Sequence, residues 1–310
     1  MLSRTAENLY WTGRYVERAE NTARILDVSL RSALQRGSER EEVEWESVVD
    51  LVGERPLFAS TYESAQADTV TVFAILDSAN PSSIHSSVRA ARENLRALRA
   101  AVSNELWENI NATWLMVRDF DEGTLRERGV RELCEWTIER AHLFQGISSG
   151  TTLRDDAFHF LLLGTFLERA DNTARLLRAK YLQFKETDAG PASAYYGWGS
   201  VLRALSAFRS YHQTFRDVIA VDRVTELLVL RREMPRSLRF CAQEALGHLD
   251  HLGKSRDLEC QRLAGELHAR LRFGRMDRIL EAGLPEFLAE IVESIAALSN
   301  QISRDFLMTV

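Results

Sequence analysis

Apolar side chains recur along this chain at three-, four- and seven-residue steps, which is the spacing of one face of an α-helix. In the first segment Leu9, Val16, Ala23 and Leu30 follow one another at seven-residue steps. No segment shows sustained alternation of apolar and polar residues, and no Asn-Gly or Asp-Gly hairpin turn occurs. The pattern therefore predicts an all-α protein.

The periodicity, together with the positions of proline and glycine, predicts where the helices begin and end. The predicted helices cover approximately residues 3–35, 41–53, 65–77, 81–103, 105–119, 124–147, 153–186, 192–212, 213–231, 235–251, 255–273 and 285–307. Asn80 followed by Pro81 predicts an N-cap and a first helical residue. Gly150 is expected to end a helix, and Thr152 with Asp155 is expected to form a capping box at the start of the next.

One octapeptide occurs twice in the chain. Residues 17–24 read Glu-Arg-Ala-Glu-Asn-Thr-Ala-Arg, and residues 168–175 differ from them only by Asp in place of the second Glu. Between residues 13–26 and 164–177, 9 of 14 positions are identical. A match of this length does not arise by chance, so we infer an internal duplication.

Further matches keep the same order along both halves. Trp45 recurs as Trp198, and the segment from Val70 to Ile84 recurs from Val224 to Leu238. The offset changes only from 151 to 154 residues. We predict two helical-bundle units, 1–150 and 151–310, packed as one body about a pseudo-twofold axis, because the segment that joins them is too short to be a free linker.

Composition narrows the class of protein further. The net charge is −6 and 45% of the residues are hydrophobic, so the chain can bury a core. No cluster of Lys and Arg lacks nearby acids, which argues against binding to nucleic acid or to an anionic membrane. The N-terminus resembles no signal peptide, and no apolar run is long enough for a membrane span. Cys134, Cys241 and Cys260 are isolated, as expected of buried thiols in a cytoplasmic protein.

The repeated octapeptide carries the candidate site. On a helix, Gly13, Glu17, Asn21 and Arg24 form one stripe, and Arg18 lies about 100° from Glu17. Small residues keep the helix thin, so the stripe indicates either a buried polar network or a face that binds a ligand or partner. The candidate residues in the two copies are Glu17, Arg18, Asn21, Arg24, Glu168, Arg169, Asn172 and Arg175.

Two local patterns have simpler interpretations. Glu20–Arg24 and Asp171–Arg175 have the spacing of ordinary i,i+4 ion pairs. Glu139 and His142 form a Glu-x-x-His pair of the kind found in di-iron bundles. The second half has Ala296 where the matching His would stand, so we expect no metal site.

No sequence motif points to a cofactor or to catalysis. The chain has no nucleophile elbow, no recognisable catalytic cysteine signature, no glycine-rich phosphate loop and no dinucleotide fingerprint. We therefore expect no cofactor.

The residues of the motif resemble a known family. The opening segment 1–24, the turn 80–84 and the segment 167–175 are similar to the alpha-E family, bacterial proteins described as an alpha-helical domain with a conserved ER motif. The resemblance covers essentially the full length.

The resemblance implies a setting for the protein. Members are typically encoded beside, or fused to, a circularly permuted ATP-grasp protein, and a transglutaminase-like peptidase and a proteasome-like subunit are frequent neighbours. This implies an accessory, non-catalytic subunit of an ATP-dependent amide-ligation or peptide-modification system. Two alternatives are open: an enzyme that uses Glu17 and Glu168 as acid/base or metal-binding carboxylates, and a motif that is purely structural.

Overall fold

The computed structural model describes residues 3–33, 41–53, 55–99, 102–186, 191–254 and 256–307. These residues form sixteen α-helices and one π-helical turn, and none of them lies in a β-strand. The all-α class predicted from the periodicity is thereby confirmed. Among the described residues, no helix combines the length and the apolar character that crossing a bilayer requires.

Of the helices in the described ranges, eight lie in the first half of the chain. They are α1 Ser3–Ala33, α2 Glu41–Val52, α3 Arg55–Ala59, α4 Ala67–Ile75, α5 Ile84–Ala97, α6 Asn104–Val117, α7 Glu122–Arg128 and α8 Val130–Thr151.

Eight more follow in the second half, and the π-helical turn Ser303–Leu307 comes after the last of them. They are α9 Asp156–Glu186, α10 Pro191–Ala204, α11 Phe208–Phe215, α12 Val221–Leu230, α13 Leu238–Gly253, α14 Glu259–Arg272, α15 Met276–Ala282 and α16 Leu284–Ile302.

The described residues separate into two compact units. One unit is Asn8–Leu161, and the other combines the residues up to Glu7 with those from Leu162 onward. The hydrophobic core of the first unit includes the buried side chains of Leu26, Trp45 and Phe73. In the second, Trp198 is buried beside Tyr181 and Phe184. The division into domains 1–150 and 151–310 and their pseudo-twofold packing stay predictions.

The two halves share an unusual helix junction. Helix α7 is followed immediately by α8, and α15 by α16, with a single glycine at each junction. Gly129 has φ 82° and Gly283 has φ 111°, backbone conformations that side chains with a Cβ rarely adopt. The predicted continuous helix over 124–147 was therefore wrong, because Gly129 turns the chain between two helices.

Residues 192–231 contain one helix more than the sequence predicted. Two helices were predicted to meet at residue 212, but the chain forms three, α10, α11 and α12. Ser206 lies between α10 and α11 with φ 54°, and Arg216 ends α11 with φ 52°. Both residues are left-handed without being glycine, so no glycine marked these breaks in the sequence.

Asn80 does not cap a helix, contrary to the prediction. Its buried amide donates to the carbonyls of Val52 and Phe73 at 3.2 and 3.1 Å. The cap of α5 is Ser83, whose side chain accepts from the backbone amide of Ser86. Asn80 therefore ties the turn before α5 to α2 and α4.

The junction between the halves also differs from the prediction. Gly150 lies inside α8, so it is not a C-cap. Thr152 does not open α9; instead the side chain of Asp155 accepts from the backbone amides of Ala157 and Phe158. Asp155 is preferred over Thr152 because it directly precedes the first helical residue.

We expect the substitution Asn80→Ala to lower the free energy of unfolding by about 2–4 kcal/mol, because it strands two buried carbonyls. Urea denaturation followed by circular dichroism measures this change. Asn104→Ala is the control, since Asn104 is exposed at the start of α6 and its loss should cost less than about 0.5 kcal/mol. Equal midpoints for the two variants would contradict the assigned role of Asn80.

Candidate functional site

The motif on α1 places its carboxylates inside the first unit. Glu17 and Glu20 both have 0% exposure, and Asn21 and Thr22 are buried beside them. Ala19 belongs to the hydrophobic core of this unit. Its small side chain keeps this stretch of α1 thin, so neighbouring elements can pack close to the polar residues.

Gln145 of α8 connects the two buried carboxylates. Its Nε2 donates to Glu20 Oε2 at 2.9 Å and to Glu17 Oε2 at 3.3 Å. The amide has two hydrogens on this nitrogen, so it can serve both acceptors. One side chain from α8 therefore stabilises two carboxylates that lie one turn apart on α1.

Arg24 and His142 also contact Glu20. Arg24 Nε donates to Glu20 Oε1 at 2.8 Å, and its Nη2 lies 2.9 Å from His142 Nε2. The same His142 nitrogen lies 3.4 Å from Glu20 Oε1. Glu20 is therefore bound by Arg24 of the same helix and by Gln145 of α8. We call Glu17, Glu20, Arg24, His142 and Gln145 the Glu20 network.

A threonine of the motif makes the same contact in both halves. Thr22 Oγ1 donates to the carbonyl of Ser82 at 3.4 Å, and Thr173 Oγ1 donates to the carbonyl of Arg236 at 3.0 Å. Each carbonyl belongs to the residue before a serine N-cap, which opens α5 in one half and α13 in the other. The motif helix is thus fixed to the start of the corresponding helix in each unit.

The arginine of the Glu-Arg pair lies over an aromatic ring in both halves. The Arg18 guanidinium carbon is 5.5 Å from the centre of the Tyr15 ring, and Arg169 is 5.5 Å from that of Phe166. Both distances fall within the range of a cation–π contact. Each arginine is therefore held over the residue three positions before it.

The asparagine and the ion pair of the motif are more exposed in the second copy than in the first. Glu168 and Arg169 are buried, whereas Asn172 is only partly buried. The Asp171–Arg175 ion pair, at 2.7 Å, has side-chain exposures of 19% and 51%, whereas Glu20 and Arg24 have 0% and 11%. Both predicted i,i+4 pairs therefore form, but only the first is buried.

Sequence reasoning missed Gln145 and the actual role of His142. Gln145 lies more than a hundred residues from Glu17, and no local pattern links the two. His142 was considered with Glu139 as part of a metal motif, yet Glu139 is exposed and His142 contacts Arg24. Within the described ranges, no group of three or more His, Cys, Asp or Glu side chains is arranged to hold a metal ion.

Two of the three cysteines, Cys134 and Cys260, have a raised thiol pKa. Cys134, Cys241 and Cys260 are free and buried. Burial raises the pKa of the Cys134 thiol far above its ordinary value, and burial together with the neighbouring Asp305 does the same to the pKa of Cys260. A raised pKa keeps these thiols protonated at neutral pH, and the protonated form is a poor nucleophile.

Comparison with known proteins places these features in a family. The family described as "a predicted alpha-helical domain with a conserved ER motif" matches residues 1–307. An uncharacterised protein of Mycobacterium bovis and two of Mycobacterium tuberculosis are each 24% identical over 313 residues, which cover 95% of this chain. The chain spans only 35% of the length of each of these relatives. No solved structure is significantly similar to it.

The difference in burial between the two ion pairs gives a direct test. We expect Glu20→Gln to destabilise the protein by about 3 kcal/mol or more, because it removes the negative charge from a buried ion pair with Arg24. The same chemical change in the second copy, Asp171→Asn, should cost less than about 1 kcal/mol because that pair is screened by water. Urea denaturation of both variants measures the difference. Equal losses of unfolding free energy would show that the Glu20 network stabilises the protein no more than the exposed pair does.

Proposed function

This chain belongs to the Alpha-E family, and on that premise we propose that it is a non-catalytic helical subunit of an ATP-grasp-linked amide-ligation or peptide-modification system. In this proposal it binds the circularly permuted ATP-grasp protein or the substrate of that protein in the cytoplasm. A transglutaminase-like protein is a further partner that the family resemblance implies. The glutamates of the motif hold each unit together, and its arginines serve recognition.

One observation carries the non-catalytic assignment: Glu17 has no exposed surface and is bound by Gln145. A general acid or base must come within hydrogen-bonding distance of the group with which it exchanges a proton. A carboxylate enclosed in this way cannot meet a substrate without opening the packing of α1 and α8. Its burial therefore favours the accessory role over the alternative in which Glu17 and Glu168 are acid/base or metal-binding groups.

Of the two arginines, Arg18 is the better suited to recognition, because Arg169 is buried. Arg18 is only partly buried, and the Tyr15 ring beneath it limits the orientations of its guanidinium. A guanidinium held over a ring presents its N–H groups at its edge, where they can pair with a carboxylate or phosphate in a planar geometry. An acidic peptide end or an acidic side chain on the partner protein offers such a group.

The roles of the Glu and the Arg can be separated by substitution. We expect Arg18→Ala to weaken binding to the purified ATP-grasp protein by about tenfold or more while lowering stability only mildly. Arg169→Ala should weaken this binding as well, but it should also lower stability because Arg169 is buried. Glu17→Gln and Glu168→Gln should instead lower the melting temperature clearly, because each removes a buried charge from its contacts. Surface plasmon resonance and thermal denaturation provide the two readouts.

The matched control for the arginines is Arg278→Ala. Arg278 is exposed on α15 and pairs only with Glu281 of the same helix in the described contacts, so its loss should change neither readout. If Arg18→Ala and Arg169→Ala bind the ATP-grasp protein as tightly as the unmodified chain, the recognition role is wrong. If the unmodified chain does not bind this protein at all, the proposed partner is wrong.

A further inference from the structure

The first unit contains a cavity away from the motif. It has a volume of about 550 Å³ and lies between α4, α7 and the beginning of α8. Its floor is apolar, with Leu30 of α1, Val72, Leu125 and Val130. A cavity of this size and composition is typical of a site that encloses a small organic group or a few side chains.

Tyr62 supplies a fixed polar group in the wall of the cavity. Its ring is stacked on Phe58 at 4.9 Å and meets Phe73 edge-on. Its hydroxyl donates to Asp77 Oδ2 at 3.2 Å. Burial and the nearby carboxylates of Asp77 and Glu122 raise the pKa of Tyr62 to about 12, so its proton remains in this hydrogen bond at neutral pH.

The charged groups that line the cavity are two carboxylates and one guanidinium, and the Asp68 carboxylate already accepts from the backbone amide of Thr69. Asp68 and Glu122 contribute carboxylates, and Tyr62 can offer only lone pairs because its proton is committed to Asp77. The charged donor of the lining, Arg126, is highly exposed and lies 3.9 Å from Glu122. A pair this exposed contributes little, so Glu122 can exchange Arg126 for a ligand cation at low cost.

The second half differs at the position of Glu122, although it keeps an acid, Asp222, at the position of Asp68. The offset of 154 residues that relates Gly129 to Gly283 aligns Met276 with Glu122 and Thr225 with Thr71 in the sequence. Helix α12 packs directly on α15, where Thr225 Oγ1 lies 3.6 Å from Met276 Sδ. An apolar side chain thus occupies in the second copy the position that carries an acid in the first.

We propose that this cavity binds a basic peptide segment, in which a lysine or arginine side chain reaches the Asp68 and Glu122 carboxylates while its neighbours cover the apolar floor. Charge complementarity selects a cation, and the apolar floor selects one that is carried on a hydrocarbon stem. The choice of a peptide rests on the proposed function in peptide modification. The cavity and its acidic rim do not depend on that function.

The test uses acetylated and amidated pentapeptides of sequence Ser-Leu-X-Leu-Ser, titrated into the full chain by isothermal titration calorimetry. We expect the peptide with lysine at X to bind about tenfold more tightly than the peptide with norleucine, which has the same stem without the charge. Hydrogen exchange in α4 and α7 should slow on binding. This assay contains no ATP-grasp protein, so its failure and the failure of partner binding are separate results.

The decisive variant is Glu122→Met, which introduces the residue of the second copy. We expect this variant to lower the affinity for the lysine peptide by about tenfold and to change the affinity for the norleucine peptide by no more than about twofold. Glu127→Met is the matched control, because Glu127 is exposed on the same helix and does not line the cavity. Asp68→Asn is a second, isosteric variant and should lower the affinity for the lysine peptide by about threefold or more.

Three results would overturn the proposal. Equal affinity for the lysine and norleucine peptides would remove the role of the charge. Equal losses from Glu122→Met and Glu127→Met would indicate general attraction to an acidic surface. Displacement of the lysine peptide by n-butylammonium at the affinity of the peptide itself would assign the cavity to a small amine instead.

Discussion

The first unit depends on two carboxylates that lie one turn apart on α1 with no contact to water. Burying a charged group is costly unless hydrogen bonds and an opposite charge replace its hydration. Gln145 supplies a donor to both Glu17 and Glu20, and Arg24 supplies the positive charge. The position of α8 against α1 is therefore fixed by polar contacts as well as by apolar packing, because moving either helix would expose an unsatisfied carboxylate.

The repeated motif divides its tasks among its residues in the same way in both halves. The glutamate is buried, the threonine binds the turn before a serine-capped helix, and the arginine lies over an aromatic ring. The two copies differ at the second acid of the motif. Glu20 is buried in the first copy, whereas Asp171 is partly exposed in the second. A motif can thus keep its framework contacts in two copies while the exposure of one ion pair changes.

The sequence predicted the helical class, the two long motif helices and both i,i+4 ion pairs, because each follows from local spacing. It could not distinguish Gly129, which turns the chain, from Gly13, which lies inside a helix, since glycine permits both conformations. Asn80 and Ser83 are both good capping residues, and only the packing of α2 and α4 decides between them. The contacts of Gln145 could not be predicted from the sequence, because its partners are distant along the chain.

Native-state hydrogen exchange tests the central claim that the motif helix of the first unit is held by the Glu20 network. If it is, the amides of residues 17–24 should exchange only through unfolding of the whole unit, with the highest protection in residues 8–161. Removing the shared donor with Gln145→Leu should lower the protection of these amides and of those in α8 together. Rapid exchange of residues 17–24 in the unmodified protein, or protection that Gln145→Leu leaves unchanged, would contradict the account.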